Sequence, residues 1–458
     1  MNVTPPGIRQ WRPETGREPV VRIGVALVED GMASLRIDLP GDEYEISTPG
    51  GSPRRLRGAK LTFDASGGAV DASVDGQPPA TGERWSLAPV ADAPLACGRG
   101  ARVHDLVTGR GFHWQKRMEQ VLPGRLEVSA VGGKLVLVNV LPLEAYLAGV
   151  ITSEMSSQCP PEFLRAQCVA ARSWLLAFTE PKHDADPFDR CNDDCCQRYQ
   201  GTEDLTDVAI DAAESTRGLV LLAEGKVVDA NYSKSCGGIV ELPEHVWGIR
   251  KPGLGVLVDA PPGDPAGEFN PVTDQNLSDY LRGDWLAATN AYCSPNVVPD
   301  DQLTRFLGRV DEAGQYFRWT VTYSHDELAA LLQSKMPELA GLREIRDLAV
   351  TKRGVSGRAT EIAINWLDAA GRARRLVVPD QYRIRQILHR SFLYSSAFDP
   401  QVKRDGSGRM ESLALVGAGW GHGAGLCQIG ALGMSLRGIG HEAIVLHYFP
   451  GAELRRVY

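Results

Sequence analysis

"LPLEAYLAGVITSEM", residues 141–155, marks the point where the chain changes texture. Upstream, from 19 to 140, runs such as "VVRIGVALVEDG", "LRIDLPGDEYEIS" and "GGKLVLVNV" are rich in β-formers and broken by Gly, Pro and Asp. No strong helical pattern interrupts them. Within 141–155, Leu143, Leu147 and Val150 fall at helical spacing just after Pro142, so the strands give way to a helix. Glu154 lies seven residues beyond Leu147, on the same stripe. Two readings follow. The carboxyl reaches solvent where the apolar face runs out, or it is held inside and must be paired or protonated. In the second case desolvation raises its pKa, which suits a general acid near neutral pH.

A second helix is expected over "PPEFLRAQCVAARSWLLAF", residues 160–178. Pro160 and Pro161 suit its first turn, and Leu164, Cys168, Ala171 and Leu175 form one stripe. A polar, acidic, cysteine-bearing loop spans 181–201. A short helix near 203–215 follows, then two strands turning at Glu224-Gly225. Residues 250–300, rich in Pro, Gly and Asp, read as a long excursion. "SHDELAALLQSKM" is a capped helix, with Ser324 as N-cap and Glu327 three residues on. Strands near 346–378 precede a glycine-rich stretch, "GAGWGHGAGLCQIGA" (417–431), and "HEAIVLHYFPG" is a helix with a Pro-Gly stop. The fold class is α+β. The expected organisation is a disordered arm (1–18), a β-rich region (19–140), a mixed core (141–249 and 346–458) and an inserted lobe (250–345).

The chain has 458 residues, 43% hydrophobic and 23% charged, enough for two or three domains. Its formal net charge of -8 argues against a general nucleic-acid binder, which needs a basic face. No run of about 20 apolar residues is present to span a membrane. The N-terminal residues lack the apolar core of a signal peptide, so export by the usual route is not expected unless an upstream start extends the chain.

Nine cysteines, an odd count in a chain this long, are not a disulfide framework. Three cluster, as His183-x7-Cys191-x3-Cys195-Cys196. Three thiols and an imidazole make one tetrahedral zinc set. A disulfide from Cys191 to Cys195 or Cys196, or simply buried reduced thiols, are the alternatives. In the glycine stretch, Gly417, Gly419, Gly421, Gly423 and Gly425 alternate, as where a ligand or another chain segment approaches the backbone closely. No Lys-Ser/Thr follows to make it a phosphate loop. His422 and Cys427 lack the orienting partner of a thiol nucleophile.

Together these segments resemble the stage II sporulation protein D family, also called the amidase-enhancer family, whose members are peptidoglycan lytic transglycosylases or their relatives. "LPLEAYLAGVITSEM" resembles the family's catalytic helix, placing its Glu at Glu154. "LRAQCVAARSWLL" resembles the next helix, where Gln167 and Arg172 match active-site positions. "FDRCNDDCCQRYQG" resembles a metal loop ending in Cys-Gln-x-Tyr, with Cys195 where the family more often has His. "NYSKSCGGIVELPEHVWG", "FRWTVTYSHDEL", "GVSGRATEI", "GWGHGAGLCQIGA" and "LHYFPGAEL" follow in family order. The match runs from about 141 to 458, with a vaguer fit before it.

The resemblance implies cleavage between N-acetylmuramic acid and N-acetylglucosamine with formation of a 1,6-anhydro sugar. Glu154 would be acid and then base, aided by Arg172 and Gln167. Tyr199, Trp420, His422, Gln428, Ser233 and Ser235 would contact sugar, with the glycine stretch lining the groove. For His422, bonding to nearby backbone to hold the loop is an equal alternative. Zinc on His183, Cys191, Cys195 and Cys196 would be structural, since four protein ligands leave no open position. The implied partners are glycan strands and a cell-wall amidase, and the implied location is the cell envelope. A wall-binding protein without turnover is the alternative function.

Overall fold

The computed structural model describes residues 6–91, 93–112, 114–179, 182–309, 311 and 314–458. The chain is α+β. Strands alone fill it up to Pro142 apart from two short 3-10 turns, and helices and strands mix beyond. It divides into two compact units. One takes the chain up to Val220 with Arg305–Asp311 and Leu454–Tyr458; the other takes Leu221–Thr304 and Glu312–Glu453. The division falls near 220, so the β-rich region and the helices after it share one unit. The reason is packing: the helix after Pro142 lies against the strands Val20–Ala26 and Lys134–Pro142, which joins it to the β-rich region.

The first unit holds a seven-stranded sheet in the order Arg190–Cys191, Val20–Ala26, Lys134–Pro142, Arg125–Val131, Arg84–Pro89, Glu43–Ser47, Arg54–Arg57. A six-stranded sheet runs Lys116–Leu122, Ala101–Thr108, Ser34–Asp38, Lys60–Ser66, Ala69–Val74, Ala80–Gly82. Side chains of Ala69–Val74 alternate between buried and half-buried, as a strand with one covered face must. Lys134–Pro142 is buried along nearly its whole length, so alternation is lost there. The expected disordered arm departs from this structure over residues 6–18. Ile8 and Trp11 are buried, Arg9 Nε bonds Asp189 Oδ1 at 2.9 Å, and Pro13–Thr15 forms a 3-10 turn. Two apolar anchors and an ion pair outweigh the polar composition. Residues 1–5 of that arm lie outside the described residues.

Helix α1 spans Leu143–Glu154, α2 Pro161–Ala177 and α3 Asp207–Ser215. All but one of the residues of α1 are buried, the mark of a helix covered on every side. Pro161 opens α2 where its missing N–H costs nothing. Thr206 caps α3, its Oγ1 accepting from Ala209 N at 3.3 Å. The three helices pack on one another.

The second unit contains two three-stranded antiparallel sheets. One joins Leu342–Arg353, Ala359–Asp368 and Ala373–Pro379; the other joins Arg318–Ser324, Met410–Ala418 and Phe398–Arg404. Their shared core includes Trp319, Leu328, Leu332, Ile362, Ile364, Phe398 and Leu415. The expected capped helix is His325–Lys335: Ser324 Oγ accepts from Glu327 N at 3.3 Å and Glu327 Oε2 from Ser324 N at 3.0 Å. The turn at Glu224-Gly225 has both residues at positive φ. The excursion after 250 carries short helices, and its Leu277, Tyr280 and Leu281 pack with Ile239 and Ala418. Among the described residues no helix is long and apolar enough to cross a membrane.

Candidate functional site

Glu154 is the last residue of α1 and only 8% exposed, which removes the solvent-reaching alternative. Met155, which follows, bridges to Leu307, and Ser156 N donates to Phe306 O at 2.9 Å, so the helix end is tied to 305–311. The other side is closed by the segment after the cysteine loop. Arg198 N donates to Glu154 Oε1 at 3.0 Å, and Gln200 N to Ser153 Oγ at 3.0 Å. The Arg198 side chain is held by Asp194 (Nε to Oδ1, 2.7 Å) and Asp311 (Nη1 to Oδ1, 2.7 Å), with its guanidinium 5.0 Å over the Trp114 ring. Burial opposes its charge, but Asp194, Asp311 and Glu154 together raise its pKa well above the ordinary value. A buried cation among three carboxylates is thus the electrostatic centre of this site.

Sequence reading passed over Arg198. Only the tertiary structure singles it out: Gln197 and Tyr199 on either side point into the core, to Tyr146 and Ala171 and to Asn139, leaving the residue between them turned elsewhere. Asp311 carried no local signal either.

His183, Cys191, Cys195 and Cys196 do come together, with their four donor atoms all within 4.8 Å of one another. No disulfide joins the cysteines, although Cys191 Sγ and Cys195 Sγ lie 2.9 Å apart, nearer than two donors on one ion. His183 Nε2 lies 3.8 Å from Cys195 Sγ, as does Cys196 Sγ. A tetrahedral ion with bonds of about 2.0–2.3 Å sets its donors some 3.5–3.8 Å apart. His183 Nδ1 bonds Asp186 Oδ2 at 2.8 Å, which turns Nε2 toward the thiols, as around a metal-ligating imidazole. Hydrogen bonding to Cys195, then Cys196, holds the imidazole pKa up to about 10 against its burial, and a bound cation would have to displace that proton. These residues fit a soft divalent cation. The strand Arg190–Cys191 lies beside Val20–Ala26, fixing one end of the loop; two residues beyond Cys196, Arg198 reaches Glu154.

Three expected contacts are relocated by burial. Arg172 is fully buried in a bidentate pair with Glu144 (Nε to Oε1, 3.0 Å; Nη2 to Oε2, 2.5 Å) and donates to Leu219 O at 3.0 Å. It pins α1, α2 and the end of α3, and its partners are at the opposite end of α1 from Glu154. Tyr199 is fully buried too: its hydroxyl donates to Asn139 Oδ1 at 2.9 Å and its ring packs 5.1 Å from Tyr146. Neither is placed to touch a sugar. Gln167 is fully buried with both amide atoms lacking a partner among the described residues.

In the second unit, the glycine stretch is approached by protein. Gly423 has φ +78, and a Cβ there would lie 2.2 Å from the Arg358 guanidinium carbon; at Gly425, φ +74, it would lie 2.1 Å from Asn231 O. Of the two causes open for this pattern, a close chain segment is the one seen. His422 Nε2 donates to Tyr232 O at 3.0 Å while its Nδ1 accepts from Ala424 N at 3.1 Å. That pairing needs the neutral ring. Burial first, then Arg358, Arg385 and Lys251, push its pKa down to about 3. His422 therefore braces the loop. Trp420 stacks on Tyr394 at 4.3 Å and packs on Tyr316 at 4.4 Å. Ser233 Oγ accepts from Gly423 N at 3.2 Å, Ser235 pairs with Trp420 through backbone, and Gln428 is buried at the start of the helix Gln428–Leu436. The structure also gathers Cys236, Asp259, Cys293 and Cys427, which their spacing in sequence gave no reason to group.

A family model described as stage II sporulation protein matches residues 131–222, which cover α1, α2, the cysteine loop and α3. A second, for a domain of unknown function, matches 269–425. An uncharacterized protein of Brachyspira hyodysenteriae is 26% identical over 320 residues, 70% of this chain and 68% of that one. Stage II sporulation protein D of Bacillus amyloliquefaciens is 24% identical over 331 residues, 69% of this chain and 75% of its own. The amidase enhancer of Bacillus subtilis is 22% identical over 315 residues, 67% of this chain but 40% of its own. The helix ending in Glu154 and the loop that closes over it lie inside the matched region, so residues 131–222 carry the stage II sporulation protein domain and the chain is similar, over about two thirds of its length, to proteins named stage II sporulation protein D and amidase enhancer.

Proposed function

We propose that the chain is a peptidoglycan lytic transglycosylase with Glu154 as its general acid and then its base. One observation carries the reading: a helix-end carboxyl 8% exposed, with one oxygen fixed by the Arg198 N–H. Asp194 and Asp311, the carboxylates beside it, are both bound by Arg198, which leaves neither as an independent base to activate water. Hydrolysis normally takes two carboxylates. A transglycosylase works with one. Glu154 protonates the oxygen between N-acetylmuramic acid and N-acetylglucosamine as the C1–O bond breaks. The same group, now a carboxylate held by the Arg198 N–H, takes the proton of the muramyl C6 hydroxyl as that oxygen bonds C1. No water enters, and intramolecular attack benefits from proximity.

Zinc on His183, Cys191, Cys195 and Cys196 would neutralise the thiolates and stiffen the loop that delivers Arg198; it would take no part in the bond exchange. The reading places the protein at the cell envelope. The name of the amidase enhancer relative, and the burial of Arg172 and Tyr199, favour one second reading: a wall-binding protein that aids an amidase without turnover.

Mass spectrometry of glycan strands, with and without stem peptides, separates the two. Anhydro-muramyl ends are expected from wild type, falling about 10²- to 10⁴-fold in Glu154→Gln. Reducing ends would mean a hydrolase. Binding without products would leave the second reading standing.

A further inference from the structure

Cys236, Asp259, Cys293 and Cys427 come from four separate stretches of the second unit and meet in its interior, none more than 3% exposed. Cys236 Sγ lies 3.6 Å from Cys293 Sγ and 3.1 Å from Asp259 Oδ2, and all four donor atoms are within 4.8 Å of one another. Donors around a tetrahedral ion with metal–sulfur bonds of about 2.3 Å sit about 3.8 Å apart. The thiols are free, and three thiols cannot all be satisfied by pairing.

The surroundings are those of ligands already oriented. Cys427 Sγ accepts from Cys236 N at 3.1 Å and from Gly430 N at 3.3 Å, at the N-terminus of the helix Gln428–Leu436, where backbone N–H groups favour a thiolate. Gly238 N points at Cys236 Sγ at 3.4 Å. Tyr448 Oη donates to Asp259 Oδ1 at 2.7 Å, and His447 Nε2 is 3.5 Å from the same oxygen, so Oδ2 is left toward the thiols. Such bonds to ligand atoms set geometry in metal sites. Three buried small hydrophobes would have no use for a buried carboxylate in their midst, which is costly to bury without compensation.

The charge also balances. Three thiolates and a carboxylate around a dication leave two negative charges. Two guanidinium groups adjoin the cluster: Arg358 Nη1 donates to Cys236 O at 3.2 Å and Arg318 Nη1 to Gly237 O at 2.9 Å.

We propose that Cys236, Asp259, Cys293 and Cys427 hold a zinc ion in a closed structural site distinct from the His183 cluster. It ties the excursion that carries Asp259 and Cys293 to the end of the glycine stretch. Binding releases the thiol protons and involves no electron transfer.

The test is the metal content of protein purified without added zinc, in wild type, His183→Ala/Cys195→Ser and Cys293→Ser. The expected result is one equivalent lost in Cys293→Ser and one equivalent kept in His183→Ala/Cys195→Ser, whatever the first cluster holds. Cobalt added to metal-free His183→Ala/Cys195→Ser protein should give the visible bands of a tetrahedral site and the charge-transfer absorption of three thiolates. Asp259→Cys should keep the ion and raise that absorption by about one third, which serves if Cys293→Ser fails to fold. Loss of all metal in His183→Ala/Cys195→Ser, with no cobalt bands, overturns the proposal. So does a Cys236–Cys293 disulfide found by thiol titration of the denatured, unreduced protein.

Discussion

At Gly423 the backbone is left-handed and the Arg358 guanidinium occupies the space a side chain needs. Gly423→Ala should destabilise the second unit by at least the 1–2 kcal/mol of a left-handed L-residue, read by urea unfolding. His422 makes a prediction with a sign. Its folded pKa, about 3, lies below the usual 6.5, so the folded state holds the neutral ring. The stability this contributes is full above pH 6.5 and is lost as pH falls toward 3. Wild type should lose more stability between pH 7 and 4.5 than His422→Gln; an equal loss in both would remove His422 from the acid response. The burial of the Glu154 stripe and the grouping of His183 with Cys191, Cys195 and Cys196 were legible in sequence because both lie in local spacing: one helix stripe, one short loop. The burial of Arg172 and Tyr199 was not, because Glu144 and Asn139, which take them up, are fixed only by tertiary packing. The glycine alternation was legible as close approach, but nothing local said what approaches.

Among elements, the joint of α1, α2 and α3 hangs on one ion pair. Glu144 Oε1 also accepts from Gly218 N at 3.2 Å and from the Tyr458 hydroxyl at 2.7 Å, so Glu144 has three supports and Arg172 is the charged one. Arg172→Met should cost about 3–5 kcal/mol by stranding a buried carboxylate, and Arg172→Met/Glu144→Gln should cost less. Equal losses in equilibrium unfolding would mean that the pair's charge is not what matters. The cysteine loop offers a second test. Chelation should speed amide hydrogen exchange at Arg198, whose N–H sits on Glu154. The helices were readable because caps and prolines are local, as at Ser324 and Pro161. The two-residue strand Arg190–Cys191 was not: its parallel partner Val20–Ala26 lies far back in the chain.

For the molecule as a whole, two units with separate cores predict unfolding that is not two-state. In calorimetry, Arg172→Met should lower one transition and Gly423→Ala the other. A single transition moved by both would mean one cooperative body. The place where the β-rich region ends was visible in the sequence, but the extent of each unit was not, since Arg305–Asp311 and Leu454–Tyr458 return to the first unit after long absences. That threading bears on how the protein is made. During synthesis Arg198 and Glu144 emerge well before Asp311 and Tyr458, the groups that complete their bonding. The unit translated first is thus completed last: the bonds of Arg198 to Asp311 and of Glu144 to Tyr458 close only after part, or nearly all, of the other unit has been made.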